Sequence, residues 1–398
     1  MKKLLLATSV FALLSVSVAK ADMFSLHLTQ SSTSIDAARG FDSVTDLFDY
    51  YKNGKLDSIF SAYDDTKAST GVIDFRGIEM TLSFNNSAVL TFSAPEAGIS
   101  PMTFDGGSQK ESFKMFRNYL KNNKDNLLKK ILSATVQNTP YDMVAGSPNS
   151  LMATMADNAF ERGGGGLNGN FVSYLSPNAS IHHFKYKGKS KKANVYALPL
   201  GKSFQFSNGS ALIFDMPISY TDMDGSASYA AQLGTAFKIQ TINNDKLSWN
   251  LTPAARIGVV GSEEMLSGGI LYSGSLTSNI RVPVGKITYS LTNMVGYIRD
   301  MSVNVAGYEV DYDLSNIVYK NGFALDWKVR QKWRAGASYD YTFYTGSDLF
   351  IDHYHDMKLF LTKELEKGKY FSAISLVADY SFDGDDYYAY KLGLNFSF

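Results

Sequence analysis

The residues best suited to chemistry in this sequence are its histidines, two of which stand close together near the C-terminus. Asp352, His353, His355 and Asp356 fall within five positions. Residues two apart on a β-strand point to the same side, so both imidazoles could reach one transition metal or serve an acid–base group at a rim. Two imidazoles make a weak metal site, and a polar loop entering a strand explains the same residues. We therefore expect no metal, no cofactor and no enzymatic activity here.

Composition narrows the classes of function further. The chain has 398 residues with 38 basic and 38 acidic side chains, so its formal net charge is zero. Nucleic-acid-binding proteins usually show a basic excess, and we expect no nucleic-acid partner. Cysteine is absent, which excludes disulfides, thiolate-ligated metals and cysteine nucleophiles. The mean hydropathy of −0.13 argues against a bundle of membrane-spanning helices.

The elements that must position any site are clearest after residue 171, where apolar and polar residues alternate with a period of two. Twelve long stretches of this kind follow one another. Soluble strands are short, about 5–6 residues, and these stretches are longer. Small and charged residues of both signs occupy the polar faces, which is typical of a hydrated barrel interior whose apolar side faces lipid. We predict a mainly β chain, in which a 12-stranded antiparallel transmembrane β-barrel over 171–398 follows a small α+β N-terminal domain.

The predicted interior of this barrel contains charged residues that would line a pore and set its ion selectivity. Both signs are present, so ion pairing that fills and stiffens the barrel is the simpler interpretation, and strong selectivity is not expected. The pore-lining candidates are Asp215, Lys238, Arg256, Arg281, Lys286, Lys328, Arg334, Asp340, Asp379 and Lys391.

The connections between the stretches predict the orientation of the barrel. One set is tight, and the other is longer and more polar, with 188–193, 222–227, 261–267, 300–314 and 346–354 as its members. Short periplasmic turns and longer outer loops are typical of outer-membrane barrels. An even number of strands then places both ends of the barrel on the periplasmic side.

The residues before the barrel divide into three parts. Residues 1–21 combine two lysines, an apolar run and a small-residue cleavage pattern, so they are predicted to be a signal peptide that exports the protein. Residues 22–148 are predicted to be the α+β domain, with strands over 71–84 and 88–104 and a helix over 108–136. Residues 149–170 are predicted to be a linker helix and a glycine-rich joint.

A twelve-stranded C-terminal barrel that ends in Phe398, with a helix at 150–162 leading into it, resembles the translocator domain of bacterial autotransporters. The resemblance covers residues 150–398. It implies that the helix lies in the pore and that the N-terminal segment is delivered outside. It also implies that the barrel-assembly machinery reads the C-terminal strand, with Phe396 and Phe398 as the signal. Residues 22–148 are shorter than typical passengers, so they could instead stay periplasmic or plug the barrel.

Three functions remain open at this point, all of them in the outer membrane with its lipid as a partner. The first is an autotransporter-like protein whose barrel anchors or translocates residues 22–148, which could bind a periplasmic or extracellular protein. The second is a small-solute channel with a periplasmic partner-binding module. The third is a barrel hydrolase, such as a phospholipase with a Ser–His pair, for which His182 with Ser180 or Ser203 are the candidates.

Overall fold

The structure is a computed structural model, and it describes residues 24–41, 44–52, 55–85, 88–122, 126–165, 173–262, 264–265, 267–305, 308–365, 371–384 and 386–398. The predicted signal peptide and part of the glycine-rich joint lie outside these residues. Within the described ranges, no helix has both the length and the apolar character needed to cross a bilayer.

The N-terminal domain is built on a six-stranded antiparallel sheet whose order is β2-β1-β3-β4-β5-β6. Alternate residues of its inner strands are buried, and Phe24, Leu26 and Leu28 of β1 are representative. Strands β1 and β2 were not predicted: β2 is mostly exposed and shows little apolar alternation, whereas β1 does alternate and its pattern was missed. The predicted strand 71–84 is a hairpin that turns at Arg76 and Gly77. The strands are β1 Phe24–Gln30, β2 Ile35–Phe41, β3 Ser69–Phe75, β4 Ile78–Phe84, β5 Val89–Ala94 and β6 Ile99–Asp105.

Three helices accompany this sheet, namely α1 Val44–Lys52, α2 Gln109–Lys121 and α3 Leu127–Asn138. The side chain of Ser108 accepts a hydrogen bond from the backbone of Glu111, as expected for the N-cap of α2. The single helix predicted over 108–136 is wrong, because Asn126 begins α3 with a left-handed backbone, φ 56°. A fourth helix, α4 Leu151–Phe160, follows the domain and continues into a turn over Glu161–Gly165.

The rest of the described chain forms a closed antiparallel barrel of twelve strands. The C-terminal strand pairs with the first, where Tyr387 lies opposite Phe184 and Phe396 opposite Leu175, so the barrel has no open edge. Prolines 177, 199 and 217 interrupt the first three strands. The strands are β7 Ser173–Leu175 with Asn178–Tyr186, β8 Lys189–Leu198 with Leu200–Gln205, β9 Ala211–Asp215 with Ile218–Met223, β10 Ser226–Asn243, β11 Ser248–Ser262, β12 Ser267–Val284, β13 Ile287–Met301, β16 Ser315–Arg330, β17 Trp333–Gly346, β18 His353–Glu364, β19 Ala373–Phe382 and β20 Tyr387–Ser397; a small hairpin, β14 Val303–Val305 and β15 Tyr308–Val310, lies between β13 and β16.

The outer face of this barrel is apolar around its circumference. Leu233, Leu359 and Leu392 on three separate strands are 58%, 63% and 60% exposed. A continuous belt of such side chains would cause aggregation in water, whereas the hydrocarbon of a bilayer solvates it. The predicted 12-stranded transmembrane barrel is therefore confirmed.

Two of the predicted outer loops are absent. Strands continue to Tyr186 and restart at Lys189, so the connection is the turn Lys187–Gly188, with φ 46° and 73°. Asp224–Gly225 is a matching turn, with φ 49° and 91°. Positive φ at both central positions suits tight hairpins, and the polar residues beside them pair as strand without apolar alternation. The expected outer loops at 188–193 and 222–227 are therefore wrong, and 302–314 is the longest connection at this end.

The N-terminal domain packs on the end of the barrel that carries these turns and loop 302–314. The hydroxyl of Tyr186 donates to the carbonyl of Gly77 at 2.7 Å, and the backbone N–H of Phe350 donates to the carbonyl of Val136 at 2.8 Å. Lys129 of α3 lies 3.3 Å from Asp311. The opposite end carries Ser173 and Phe398. The domain thus covers the barrel end farthest from the barrel termini.

Candidate functional site

The interior of the barrel holds helix α4, which enters from the end covered by the N-terminal domain. The backbone N–H of Leu151 donates to Met143 at 2.8 Å, and the hydroxyl of Ser150 caps the helix by accepting from Ala153 at 3.4 Å. Apolar residues are buried on more than one side of the helix; among them, Met155 and Phe160 are fully buried. A helix buried in this way belongs inside a structure and not on its surface.

Two glycines of the barrel wall make room for side chains of the helix. A Cβ at Gly258 of β11 would lie 2.8 Å from Leu151 and 2.9 Å from Met155. A Cβ at Gly322 of β16 would lie 2.8 Å from the ring of Phe160. Real Cβ contacts are not this short, so any larger residue at either position would collide with the helix.

A buried lysine ties the helix to the wall. The ammonium of Lys320 on β16 is 2.6 Å from Asp157 of the helix and 2.9 Å from Asp356 of β18. The hydroxyl of Tyr354 also donates to Asp157, at 3.3 Å. Lys320 is fully buried, and a buried charge is tolerated only when it is paired in this way.

Uncharged groups extend this attachment along the helix. The amide of Gln232 on β10 donates to the hydroxyl of Thr154 at 2.9 Å and accepts from the side chain of Asn158 at 3.1 Å. These contacts fix the rotation of α4 inside the barrel.

The turn that follows the helix is attached through a second set of charges. Glu161 lies 3.7 Å from Lys358, and Arg162 lies 3.4 Å from Asp215. Arg256 approaches the same carboxylate of Asp215 at 2.9 Å. Gly164 has φ 111°, a conformation that suits glycine, and its carbonyl accepts from Asn279 at 3.1 Å.

The pore-lining candidates fall into three groups. Asp215, Arg256 and Asp340 belong to the ion pairs around the helix, where Asp340 lies 3.3 Å from Lys358. Asp379 and Lys391 point inward from directly opposed positions of β19 and β20. The other five lie toward the end with the barrel termini: Lys238, Arg281 and Arg334 on the inner wall, Lys286 in the exposed turn 285–286 and Lys328 exposed at the rim.

Lys286 lies in the turn between β12 and β13, and Lys328 lies near the C-terminal end of β16; both are exposed, and neither contacts the helix. Whether any of the ten candidates lines a conducting pore stays a prediction. The sequence analysis missed Lys320, Lys358 and Glu161, although both lysines occupy inward positions of alternating strands. That alternation was the signal that could have found them.

The histidines do not converge on a metal. His353 and His355 face outward from β18, where the ring of His355 packs on Phe382 at 5.0 Å, while Asp356 points into the lumen. In the described ranges there is no group of three or more histidine and acidic residues placed to hold a metal ion. The expectations of no cofactor and no enzymatic activity stay predictions.

The Ser–His pair considered for a hydrolase does form, but inside the barrel. The hydroxyl of Ser180 and Nε2 of His182 are 2.8 Å apart, and Nδ1 of His182 is 3.0 Å from the hydroxyl of Tyr387. A phospholipase site would need the pair on the outer wall with an asparagine to orient the histidine. Here Tyr387 contacts the histidine in place of an asparagine, and Ser180 and His182 are both buried.

Comparison with known proteins finds similarity at the level of the barrel. No protein-family model and no curated protein matches the chain. The transport unit of the autotransporter AIDA-I from Escherichia coli matches with a TM-score of 0.42 and 12% identity, over 62% of this chain and 97% of that one. The translocator domain of NalP from Neisseria meningitidis gives a TM-score of 0.42 and 12% identity, over 62% and 96%. An outer membrane channel from Pseudomonas putida F1 gives 0.43 and 10%, over 57% and 96%. The matches thus include both autotransporter translocators and a channel.

Proposed function

We propose that this chain is an outer-membrane protein whose barrel anchors its own N-terminal domain at the cell surface. The observation that carries the proposal is the path of the chain. From the domain on one end of the barrel, α4 runs through the lumen, and the first strand begins at Ser173 on the opposite end. One polypeptide therefore links a domain outside the barrel to the barrel wall through the barrel interior.

The contacts inside the lumen support a permanent attachment over a passing one. Lys320, Gln232 and Asn279 each bond the segment 151–165 from a different strand. A segment in transit would not need wall glycines shaped to its side chains. The helix in this proposal acts as the stalk of the displayed domain and as a plug of the lumen.

The orientation rests on the two ends of the barrel. The even number of described strands puts Ser173 and Phe398 at one end, and the longest connection, 302–314, lies at the other with the domain. Outer-membrane barrels keep short turns in the periplasm and longer loops outside. The domain would then face the medium, and the C-terminal strand, with Phe396 and Phe398, would be available to the periplasmic assembly machinery.

The absence of cysteine makes the orientation directly testable. Lys110→Cys places an exposed thiol on α2 of the domain, and Asp245→Cys places one in the exposed turn 244–247 at the opposite end. Intact cells would be treated with a membrane-impermeant maleimide. We expect Lys110→Cys to be labelled at once and Asp245→Cys only after the outer membrane is permeabilised.

The native cysteine-free chain is the control for non-specific labelling. Labelling of Asp245→Cys but not Lys110→Cys on intact cells would show that the domain is periplasmic, and display would be refuted. Both variants change exposed positions, so neither should disturb folding.

A channel for small solutes is the second candidate, and one observation favours it. Below the turn 161–165 the lumen contains a cavity of about 640 Å³ that reaches the turns at the terminal end. Conduction would require α4 to leave the lumen. Single-channel recordings of the full chain in planar bilayers test this, since stable open levels in the wild type would favour the channel over the plug.

A further inference from the structure

Lys320 differs from the other lysines in the described part of the chain, because its side chain is fully buried. Its ammonium lies 2.6 Å from an oxygen of Asp157 and 2.9 Å from an oxygen of Asp356. Lys129 also meets two carboxylates, but at 3.3 Å each and with its side chain 22% exposed. Lys358 lies 3.3 and 3.7 Å from its two carboxylates. Lys320 thus combines complete burial with close contact to two acidic groups.

Aromatic rings shield this contact from water. The ring centroids of Phe160 and Tyr354 lie 5.5 and 5.4 Å from the ammonium of Lys320. Such surroundings disfavour charged groups, so a neutral amine beside a neutral carboxyl costs less free energy here than in water. A desolvated lysine amine is a nucleophile. The cluster therefore holds both reactants of an amide bond, an amine and a carboxyl, in contact.

We propose that Lys320 and Asp157 form an intramolecular amide bond, which joins helix α4 covalently to β16 of the barrel wall. Asp157 is the carboxyl that reacts, and Asp356 carries protons between the reacting groups. Groups held in position by a fold react as if present at effective concentrations of about 10⁵–10⁸ M, so the bond forms without a second protein. The proposal deepens the proposed attachment of the helix, which itself needs only the ion pair.

The surroundings of the two carboxylates assign these roles. The hydroxyl of Tyr354 donates to Oδ1 of Asp157 at 3.3 Å, where negative charge develops when the carboxyl carbon is attacked. Asp157 also lines a cavity of about 190 Å³ beside the helix, which can take up the released water. The side chain of Asp356 is only 6% exposed, and its other oxygen accepts from Ser381 at 2.6 Å. This hydrogen bond stabilises the ionised form of Asp356, the form that accepts a proton.

The reaction starts from the ion-paired state that the structure shows. The ammonium of Lys320 gives one proton to Asp157, which leaves a neutral amine, a neutral carboxyl and the ionised Asp356. The amine nitrogen attacks the carboxyl carbon of Asp157 and passes a second proton to Asp356. Asp356 returns this proton to the leaving hydroxyl, and one water departs. The product is an amide beside an ionised Asp356, so the charge of the cluster stays at one negative throughout.

Tryptic digestion of the full chain, extracted from the outer membrane and then denatured, tests for the bond. Trypsin cannot cleave after an acylated Lys320, so peptide 131–162 would stay linked to peptide 300–328. We expect the wild type to give this linked pair, with the mass of the two peptides less one water. Fragmentation should place the bond between Lys320 and Asp157. Peptide 300–320, which requires cleavage after Lys320, should be about tenfold or more scarcer than in Asp157→Ala.

Two variants and one internal control separate the bond from the ion pair. Lys320→Arg keeps a buried cation, but a guanidinium does not act as the nucleophile, so no linked pair is expected. Asp356→Asn keeps both reactants and removes the proton carrier, so the linked fraction should fall about tenfold or more in freshly made protein. Lys129, which is partly exposed beside Asp311, should form no such bond and controls for links made during handling.

The wild type decides the proposal even if a variant fails to fold. It is overturned if the wild type gives no linked pair and releases peptide 300–320 as fully as Asp157→Ala. A bond from Lys320 to Asp356 would overturn the assigned roles, as would wild-type levels of the linked pair in Asp356→Asn. Maleimide labelling of Lys110→Cys depends on the position of the domain and not on this bond, so the two proposals can fail separately. Free-energy changes from breaking the ion pair of Lys320 apply to chains that lack the bond.

Discussion

Removing the ammonium of Lys320 should release helix α4 from the barrel wall. We consider Lys320→Met, which keeps a similar volume and removes the charge. Asp157 and Asp356, now 2.6 and 2.9 Å from the ammonium, would lose their shared partner inside the lumen. Two carboxylates that remain ionised there repel each other, and the helix can relieve the repulsion only by moving away from β18.

The magnitude follows from burial. Breaking a buried ion pair by removing one partner costs about 3–5 kcal/mol. The side chain of Lys320 is fully buried and that of Asp356 is 6% exposed, but that of Asp157 is 33% exposed and can recover some hydration. We therefore expect a loss near the lower bound, about 3 kcal/mol. The triple variant Lys320→Met, Asp157→Asn, Asp356→Asn leaves no unpaired charge and should recover most of it.

Two assays measure the effect. Urea unfolding in lipid vesicles reports the free energy of unfolding, and planar-bilayer recording reports whether the lumen opens. Lys328→Met, on the same strand but exposed at the rim, is the matched control and should leave both unchanged. If Lys320→Met is as stable as the control and equally silent, the cluster does not hold the helix, and the reasoning for a permanent plug fails.

Three further predictions concern the domain and the fit of the helix. Asp142→Asn removes the charge partner of Arg76, 2.8 Å away in a fully buried pair, and should destabilise the domain by about 3 kcal/mol in chemical unfolding; an unchanged midpoint would contradict this. Gly258→Leu should displace α4 at a cost of about 1–3 kcal/mol, detectable as faster proteolysis of the helix than in the wild type. Burial lowers the pKa of Lys129, but Asp311 and Asp313 outweigh it and raise that pKa above its ordinary 10.5, so the stabilisation is complete below 10.5 and is lost as pH rises through the raised value. The Tm difference between wild type and Lys129→Gln should accordingly be constant from neutral pH to 10.5 and shrink above it; a difference that persists in stronger alkali would count against the ion pair.

The class of the barrel could be predicted from sequence because its signal is local. Successive side chains of a strand point to opposite faces. Because lipid contacts one face of the barrel and the hydrated interior the other, apolar and polar residues alternate along each strand. The linker helix within 149–170 was likewise predicted from the local sequence, because the stretch follows Pro148 and runs into four consecutive glycines. The loops were less predictable, since Lys189 and Lys192 pair as strand although no apolar pattern marks them.

The position of the helix in the lumen was predicted only from the resemblance to a known family. The residues that bond it to the wall could not be predicted. Lys320 meets Asp157 across 163 positions of sequence, and nothing in the neighbourhood of either residue specifies the other. Gly258 and Gly322 read as ordinary strand glycines until the helix is placed against them.

The sequence by itself determined that the second half of the chain is a membrane barrel preceded by a helix, since both patterns depend only on neighbouring residues. The tertiary structure alone decided on which end the N-terminal domain packs, which charges pair and how the helix fills the lumen. Those outcomes depend on distances between residues that are far apart in the chain. These distances are set only when the barrel closes and every strand has its register.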